Sequence, residues 1–173
     1  MNKALASRIE VNRKEYERLL KDDNYTDVRF NPNNGALSAI HKKHHFDSTK
    51  GIFGIERGKY EQISLEVLYE YGRSIIFESE YDKEGVKTPD GLLDGKKFDI
   101  KGIEGTSKRN IEYKIYEASN QGAETVVLYF HTKGVFSMQR IIEGYDAYMR
   151  NSKSKKVTTL YYILDEKLHK YEK

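Results

Sequence analysis

Two aspartates and a lysine near the middle of the chain carry the spacing that promises chemistry. Asp94-Gly95 is a strong two-residue hairpin signal, flanked by Gly91-Leu92-Leu93 and by the run Lys96 to Ile100. With those two residues at the tip, Leu93 faces Lys96, and counting back along both strands sets Asp90 opposite Asp99. Side chains alternate between faces, so Asp90 and Asp99 share one face and Lys101 joins them. The other face receives Leu93, Phe98 and Ile100, an apolar set suited to a core. Directly opposed like charges destabilise a sheet, because their Cβ atoms lie only about 5 Å apart. A divalent cation between the carboxylates removes that repulsion and turns the pair into a ligand set. A lysine beside it can orient a water or steady a phosphate oxygen, the arrangement needed to hydrolyse a phosphodiester. The plain alternative is a solvated charged face, which antiparallel sheets commonly carry.

The elements that must hold this hairpin are legible on both sides of it. Tyr60, Ile63, Val67, Leu68 and Tyr71 recur at helical spacing, with Gly72 where a C-terminal cap belongs. Ser74-Ile75-Ile76-Phe77 reads as a buried strand. After the hairpin, Asn110 can cap a helix that turns Ile111, Ile115 and Ala118 inward and stops at Gly122. Val126 to Phe130 is an apolar run, as in a strand covered on both faces. Phe136, Met138, Ile141, Ile142, Tyr145, Tyr148 and Met149 form the most regular helical stripe, and Thr158 to Leu164 a last strand before a charged tail. The order predicts an α/β fold, a mixed β-sheet sandwiched by helices. Residues 1–55 read as a basic N-terminal extension, with one amphipathic helix in the first twenty residues and an irregular stretch beyond. Residues 56–173 form the domain proper.

Bulk properties narrow the classes. The 173 residues allow one domain and an appendage; 38% are hydrophobic and 33% charged, a soluble globular balance. Thirty Lys and Arg against 27 Asp and Glu leave a net charge of +3, so any polyanion footprint must be local. Without cysteine, thiolate zinc sites, disulfides and cysteine nucleophiles are excluded, and a reducing cytoplasm is compatible. No apolar run approaches the roughly 20 residues of a membrane span, and Met1 to Glu10 lacks the apolar core of a secretory signal. A cytoplasmic location is the expectation.

Pro89-Asp90, followed by Asp99-Ile100-Lys101, resembles the signature of the PD-(D/E)xK phosphodiesterase superfamily. The wider strings TPDGLLDGKKFDIK and NIEYKIYEASNQGAETVVLYF look like the C-terminal toxin domain of contact-dependent growth-inhibition proteins, several of which are tRNA nucleases. Similar domains occur in proteins of phages and integrative elements. The resemblance, over roughly residues 58–165, implies a restriction-endonuclease-like core and a metal-dependent endonuclease. It further implies an acid on the helix before the hairpin. Glu61, after an aromatic near the helix start, is the preferred candidate; Glu66 competes, and Glu80 is a third. Glu61 and Glu66 are five positions apart, about 140° around a helix, so both cannot face one ion. Mg²⁺ or Mn²⁺ would then be held by Asp90, Asp99, the Ile100 carbonyl and Glu61, with Lys101 positioning water or acting as general base. Gln121 sits where many relatives point a polar residue back to the site.

Other signals are weaker. His41 and His45, with His44 beside them, have helical metal-pair spacing, but Lys42 and Lys43 repel a cation; a phosphate-contacting basic stretch fits better, and a solvated arm is the plain reading. Tyr113, Lys114 and Tyr116 could line a substrate groove, as could Lys108 and Arg109, and Lys153-Ser154-Lys155-Lys156 is a basic loop. The 14 tyrosines against no tryptophan invite base stacking but more commonly pack helix faces. The expected substrate is nucleic acid, tRNA first and DNA as its neighbour, with an immunity protein as a partner. A phage or mobile-element accessory protein that keeps the fold without catalysis is the competing class.

Overall fold

The computed structural model describes residues 2–80, 87–153 and 155–173. Eight strands form one mixed sheet in chain order: β1 Tyr25–Phe30, β2 Leu37–His41, β3 Ser74–Phe77, β4 Gly91–Leu93, β5 Lys96–Ile103, β6 Thr125–Phe130, β7 Thr159–Leu164 and β8 Lys167–Tyr171. β3, β4 and β5 run as an antiparallel meander, β5, β6 and β7 are mutually parallel, and β1 and β8 close the two edges antiparallel. Four helices cover it: α1 Lys3–Leu19, α2 Gly58–Glu70, α3 Asn110–Gln121 and α4 Met138–Asn151.

The register shows which helix covers which face. Phe98, Ile100 and Gly102 pair with Thr125, Val127 and Tyr129, and this side packs Tyr60, Leu65 and Leu68 of α2 over Phe77, Leu93 and Ile163. The alternate residues Asp99, Lys101 and Ile103 pair with Val126, Leu128 and Phe130, which share a core with Ile111 and Ile115 of α3 and Ile141 and Tyr148 of α4. Helices on both faces of a mixed sheet are the sandwich expected from the element order. None of the described helices is long and apolar enough to cross a membrane.

Local chemistry explains the element boundaries. Asp94 and Gly95 both adopt positive φ, 50° and 82°, as a tight hairpin turn of the favoured hand requires. Ser137 caps α4 by accepting the Arg140 N–H. Asn110 does not cap α3: it is the first helical residue, Arg109 precedes it without a side-chain cap, and the Asn110 amide donates instead to the Gly105 carbonyl.

Residues 1–55 hold more structure than their composition suggests. β2 pairs in parallel with β3, and Leu19, Leu37 and Ala39 join Ile76 and Leu92 in one hydrophobic cluster. The β2 segment Leu-Ser-Ala-Ile-His is short, and a sheet neighbour rather than its own periodicity makes it a strand. Beyond Leu164, where the composition predicts a charged tail, lies β8. It is an edge strand, Lys-Leu-His-Lys-Tyr, whose lysines and histidine are exposed and whose Leu168 is buried.

Candidate active site

The site exists because β4 is short. Its three residues pair with Lys96, Lys97 and Phe98, so from Asp99 onward β5 has no ladder partner on that side among the described residues. Asp90, immediately before β4, fills the first gap with a side chain: its Oδ2 accepts the Ile100 N–H at 2.6 Å. The N–H and C=O of a strand residue leave the same edge, so the Ile100 carbonyl turns toward the same opening. Gly91 makes this possible. Its φ is +159°, and a Cβ there would sit 1.9 Å from the Ile76 carbonyl oxygen, so only glycine lets β4 lie this close to β3 while Asp90 swings toward β5.

Asp90, Asp99 and Lys101 come together as the hairpin register requires. All three are buried, at 9%, 2% and 7% exposure, in a molecule where such groups are seldom buried unpaired. Lys101 Nζ lies 2.9 Å from Asp99 Oδ2. The contact is an ion pair by distance, and Oδ2 receives no well-directed hydrogen bond among the described residues. Burial first, then the Asp99 and Glu61 charges and a hydrogen bond with Asp99, push the Asp90 carboxyl well above the ordinary range, against the Ile100 N–H. Burial alone would lower the Lys101 ammonium, but the charges of Asp99, Glu117 and Asp90 outweigh it and raise Lys101 above its usual value. Lys101 is therefore an ammonium, suited to pairing with an oxygen or orienting a water. The same carboxylates argue against it as a proton acceptor.

Glu61 enters from the α2 side. Gly102 lacks a side chain where Tyr60 packs, since a Cβ there would lie 2.4 Å from the Tyr60 ring, and this lets α2 approach β5. Tyr60 is then pinned by a 2.8 Å bond from its hydroxyl to Glu104. The Glu61 carboxyl lines the cleft of about 550 Å³ that also takes in Asp90, Asp99, Ile100, Lys101 and Glu80. Burial raises its pKa, followed by the charges of Glu80 and Asp99, while His44 opposes the rise. Glu66 is elsewhere, exposed and paired with Arg29 at 2.9 Å, so the choice between the two acids falls to Glu61. Glu80 lies at the rim, 3.8 Å from the His44 ring.

Most of the remaining expected residues are not gathered here. Arg109 and Tyr113 line a separate hollow of about 740 Å³ between α3 and the end of α4, and Lys108 is exposed. Gln121 lies outside the cleft lining, with a buried Oε1 that has no hydrogen-bond partner among the described residues. Lys153, Lys155 and Lys156 are exposed, and Ser154 lies outside the described residues. Conversely, Lys114, expected in a substrate groove, does line the cleft, whereas sequence reasoning missed His44, Arg57, Lys87 and Glu117 as site residues. Arg57, Lys87 and Lys114 supply a cationic lining around the acidic centre. Glu117 was legible in principle, one helical turn from Lys114 on the helix that follows the hairpin, and the two pair at 3.4 Å. His44 is the larger surprise. Expected on a solvated arm, it is fully buried against Phe77 and contacts Glu61.

The donors fit a hard divalent cation. Among the described residues no group of three or more His, Asp or Glu side chains is set closely enough to hold a metal by itself, and Glu61 is not drawn into a closed cage with the aspartates. Mg²⁺ keeps several waters and takes one or two carboxylates, which Asp90, Asp99 and the Ile100 carbonyl can offer. A buried carboxylate oxygen without a directed donor and a partner whose ionised form is disfavoured are what such an ion would relieve.

Fold and cleft together define an α/β protein with a buried carboxylate–lysine centre at an open strand edge. Residues 87–167 match the family described as the contact-dependent growth inhibition CdiA C-terminal domain, so the chain is similar to those domains over this stretch. The match takes in the hairpin, α3, β6, α4 and β7. His44 and Glu61 fall before it. No curated protein and no solved structure matches the chain.

Proposed function

We propose that this chain is a toxin-type endonuclease of the PD-(D/E)xK class that hydrolyses phosphodiester bonds in RNA, with tRNA as the favoured substrate. The observation that carries the reading is the pair of buried aspartates meeting across a tight turn, with the Lys101 ammonium 2.9 Å from one of them. The order helix, three-stranded meander, helix, strand, with α2 and α3 on opposite faces, supports a restriction-endonuclease-like core. The family match supports growth inhibition as the biological setting, and with it an immunity protein as partner and the cytoplasm of a target cell as the place of action.

Asp90, Asp99 and the Ile100 carbonyl are the groups that would hold Mg²⁺ or Mn²⁺. When bound, the ion supplies a Lewis acid that polarises the phosphate and lowers the pKa of a water. Lys101 pairs with a phosphate oxygen or orients the attacking water. Arg57, Lys87 and Lys114 take up the phosphates on either side, a placement that positions the backbone without reading bases. Glu61 presents its carboxylate from the opposite wall.

The test is incubation of the protein with purified tRNA and with plasmid DNA, each with Mg²⁺, with Mn²⁺ and with EDTA. Cleavage of tRNA that needs metal, stops with EDTA and disappears in a folded Asp99→Ala variant is the expected result. Cleavage of plasmid alone would move the substrate to DNA, and inactivity on both would leave a non-catalytic module.

A further inference from the structure

His44 is the buried group that the reading above leaves without a role. It follows β2 in the loop leading to α2, and its side chain is completely excluded from solvent, lying 4.6 Å from the Phe77 ring and edge-on to Phe46 at 4.9 Å. Both ring nitrogens have specific partners. Nδ1 lies 3.1 Å from the Glu78 carbonyl oxygen, and Nε2 lies 3.2 Å from Glu61 Oε2. A carbonyl oxygen can only accept, so Nδ1 carries one hydrogen and donates it, and the contact on the other side requires a second hydrogen between Nε2 and Glu61 Oε2. The ring is thereby fixed in orientation, and Nε2 is aimed at one oxygen of Glu61. A histidine clamped by a backbone carbonyl on one side and a carboxylate on the other is the pattern by which outer residues orient ligand groups.

We infer that His44 is a positioning residue of the active site: it holds the Glu61 carboxylate facing Asp90 and Asp99 across the cleft, and so sets how well the site takes a divalent cation. This rests on the metal-dependent reading of the cleft. The anchor is well placed for the task. The Glu78 carbonyl lies one residue beyond β3, and Glu78 N–H is bonded to the Asp90 carbonyl at 3.0 Å, so one backbone residue ties both His44 and Asp90. Both walls of the cleft are thus referenced to the same point of the sheet. Without His44, Glu61 would be a half-buried acid on a helix, free to turn to solvent or to follow the charge of Lys101.

Two isosteric variants separate positioning from packing. Asparagine at 44 can keep the donor near Nδ1 and loses the reach to Glu61; glutamine keeps a donor near Nε2 and loses the bond to Glu78. The full chain, as wild type, His44→Asn and His44→Gln, is titrated with MnCl₂ alone by calorimetry and by thermal melting, and then assayed on tRNA across Mn²⁺ concentration. Circular dichroism checks that each variant folds. The expected result is an Mn²⁺ affinity about 10-fold weaker in His44→Asn, within the range of outer-residue losses, largely restored in His44→Gln. The Mn²⁺ concentration for half-maximal cleavage should rise in parallel while the KM for tRNA stays put. Equal affinity in all three proteins overturns the inference and leaves the nuclease reading standing. Equal loss in both folded variants also overturns it, assigning His44 to packing. Wild type that binds Mn²⁺ but cleaves nothing, with His44→Asn weakened, keeps the inference and sinks the nuclease. Wild type that binds no Mn²⁺ overturns both.

Discussion

Replacing Asp90 with asparagine should make the metal-free protein more stable, although it removes a group from the centre of the site. Asp90 lies one step beyond the Gly91–Phe98 pair, so the hairpin register sets it against Asp99. Directly opposed residues have Cβ atoms about 5 Å apart, and two unit charges at that distance repel by about 3 kcal/mol at an effective dielectric of about 20. Part of this is already relieved, because Lys101 lies 2.9 Å from Asp99 and because Asp90 can take up a proton. Asparagine keeps an oxygen to accept the Ile100 N–H and gains an amide able to donate to Asp99. A net gain of about 1–2 kcal/mol follows, or about 2–8 °C in Tm for a chain of this size. The pH dependence has a definite sign. The Asp90 carboxyl is held above the ordinary range, so the folded state keeps a proton that the unfolded chain releases. The stability this group contributes is fully present below its unfolded value of about 4 and is lost as pH rises through the folded value. Thermal melts in EDTA from pH 5 to 8 should therefore show the parent losing stability toward pH 8 and Asp90→Asn losing less. A divalent ion reverses the ranking: at a concentration of about 100 Kd it stabilises the parent by about 2.7 kcal/mol and the variant far less. If Asp90→Asn melts below the parent in EDTA at pH 8, or responds to Mg²⁺ as the parent does, the carboxylates do not repel and do not share an ion.

Four further outcomes follow from the same geometry. Lys101→Met should lower cleavage by about 100-fold or more with the fold intact on circular dichroism, since a preorganised charge at a reacting oxygen is worth about 3 kcal/mol. Gly102→Ala drives a methyl toward the Tyr60 ring, and should cost about 1–3 kcal/mol in urea unfolding by overpacking while reducing activity through displacement of Glu61. Glu66→Gln breaks only an exposed pair with Arg29, so stability should change by less than about 1 kcal/mol and cleavage not at all, whereas Glu61→Gln should weaken Mn²⁺-supported cleavage.

What the sequence made legible and what it hid divide along a physical line. The Asp94-Gly95 turn is a local signal, and it alone placed Asp90, Asp99 and Lys101 together; the pairs Gly91–Phe98, Leu92–Lys97 and Leu93–Lys96 are those that counting from the turn predicts. Ser74–Phe77 and the helix stripes were equally plain, because burial imposes a period on a single segment. An element that borrows its stability from a neighbour leaves no such period in its own segment. β2 is a strand because β1 and β3 lie beside it, and β8 because β7 does. His44 belongs to the same kind. Its segment, His41-Lys42-Lys43-His44-His45, has the charge of a solvated arm, and only the aromatic wall of Phe46 and Phe77 with two acceptors at fixed distance turns one ring inward.

That division bears on how the centre is built. The hairpin that carries the aspartates lies within the segment similar to the growth-inhibition domains, whereas Glu61 and His44 lie before it. One half of the cleft is set by a turn whose geometry is nearly self-contained. The other is held by long-range contacts: Tyr60 over Gly102, Tyr60 to Glu104, His44 to the Glu78 carbonyl. The two halves meet only because β4 stops after three residues and leaves the edge of β5 unpaired. Lengthening β4 would close that edge with backbone hydrogen bonds, and the Ile100 N–H would no longer need the Asp90 carboxylate. The acidic pair thus sits where the ladder is interrupted, and the proposed chemistry depends on the sheet being open there.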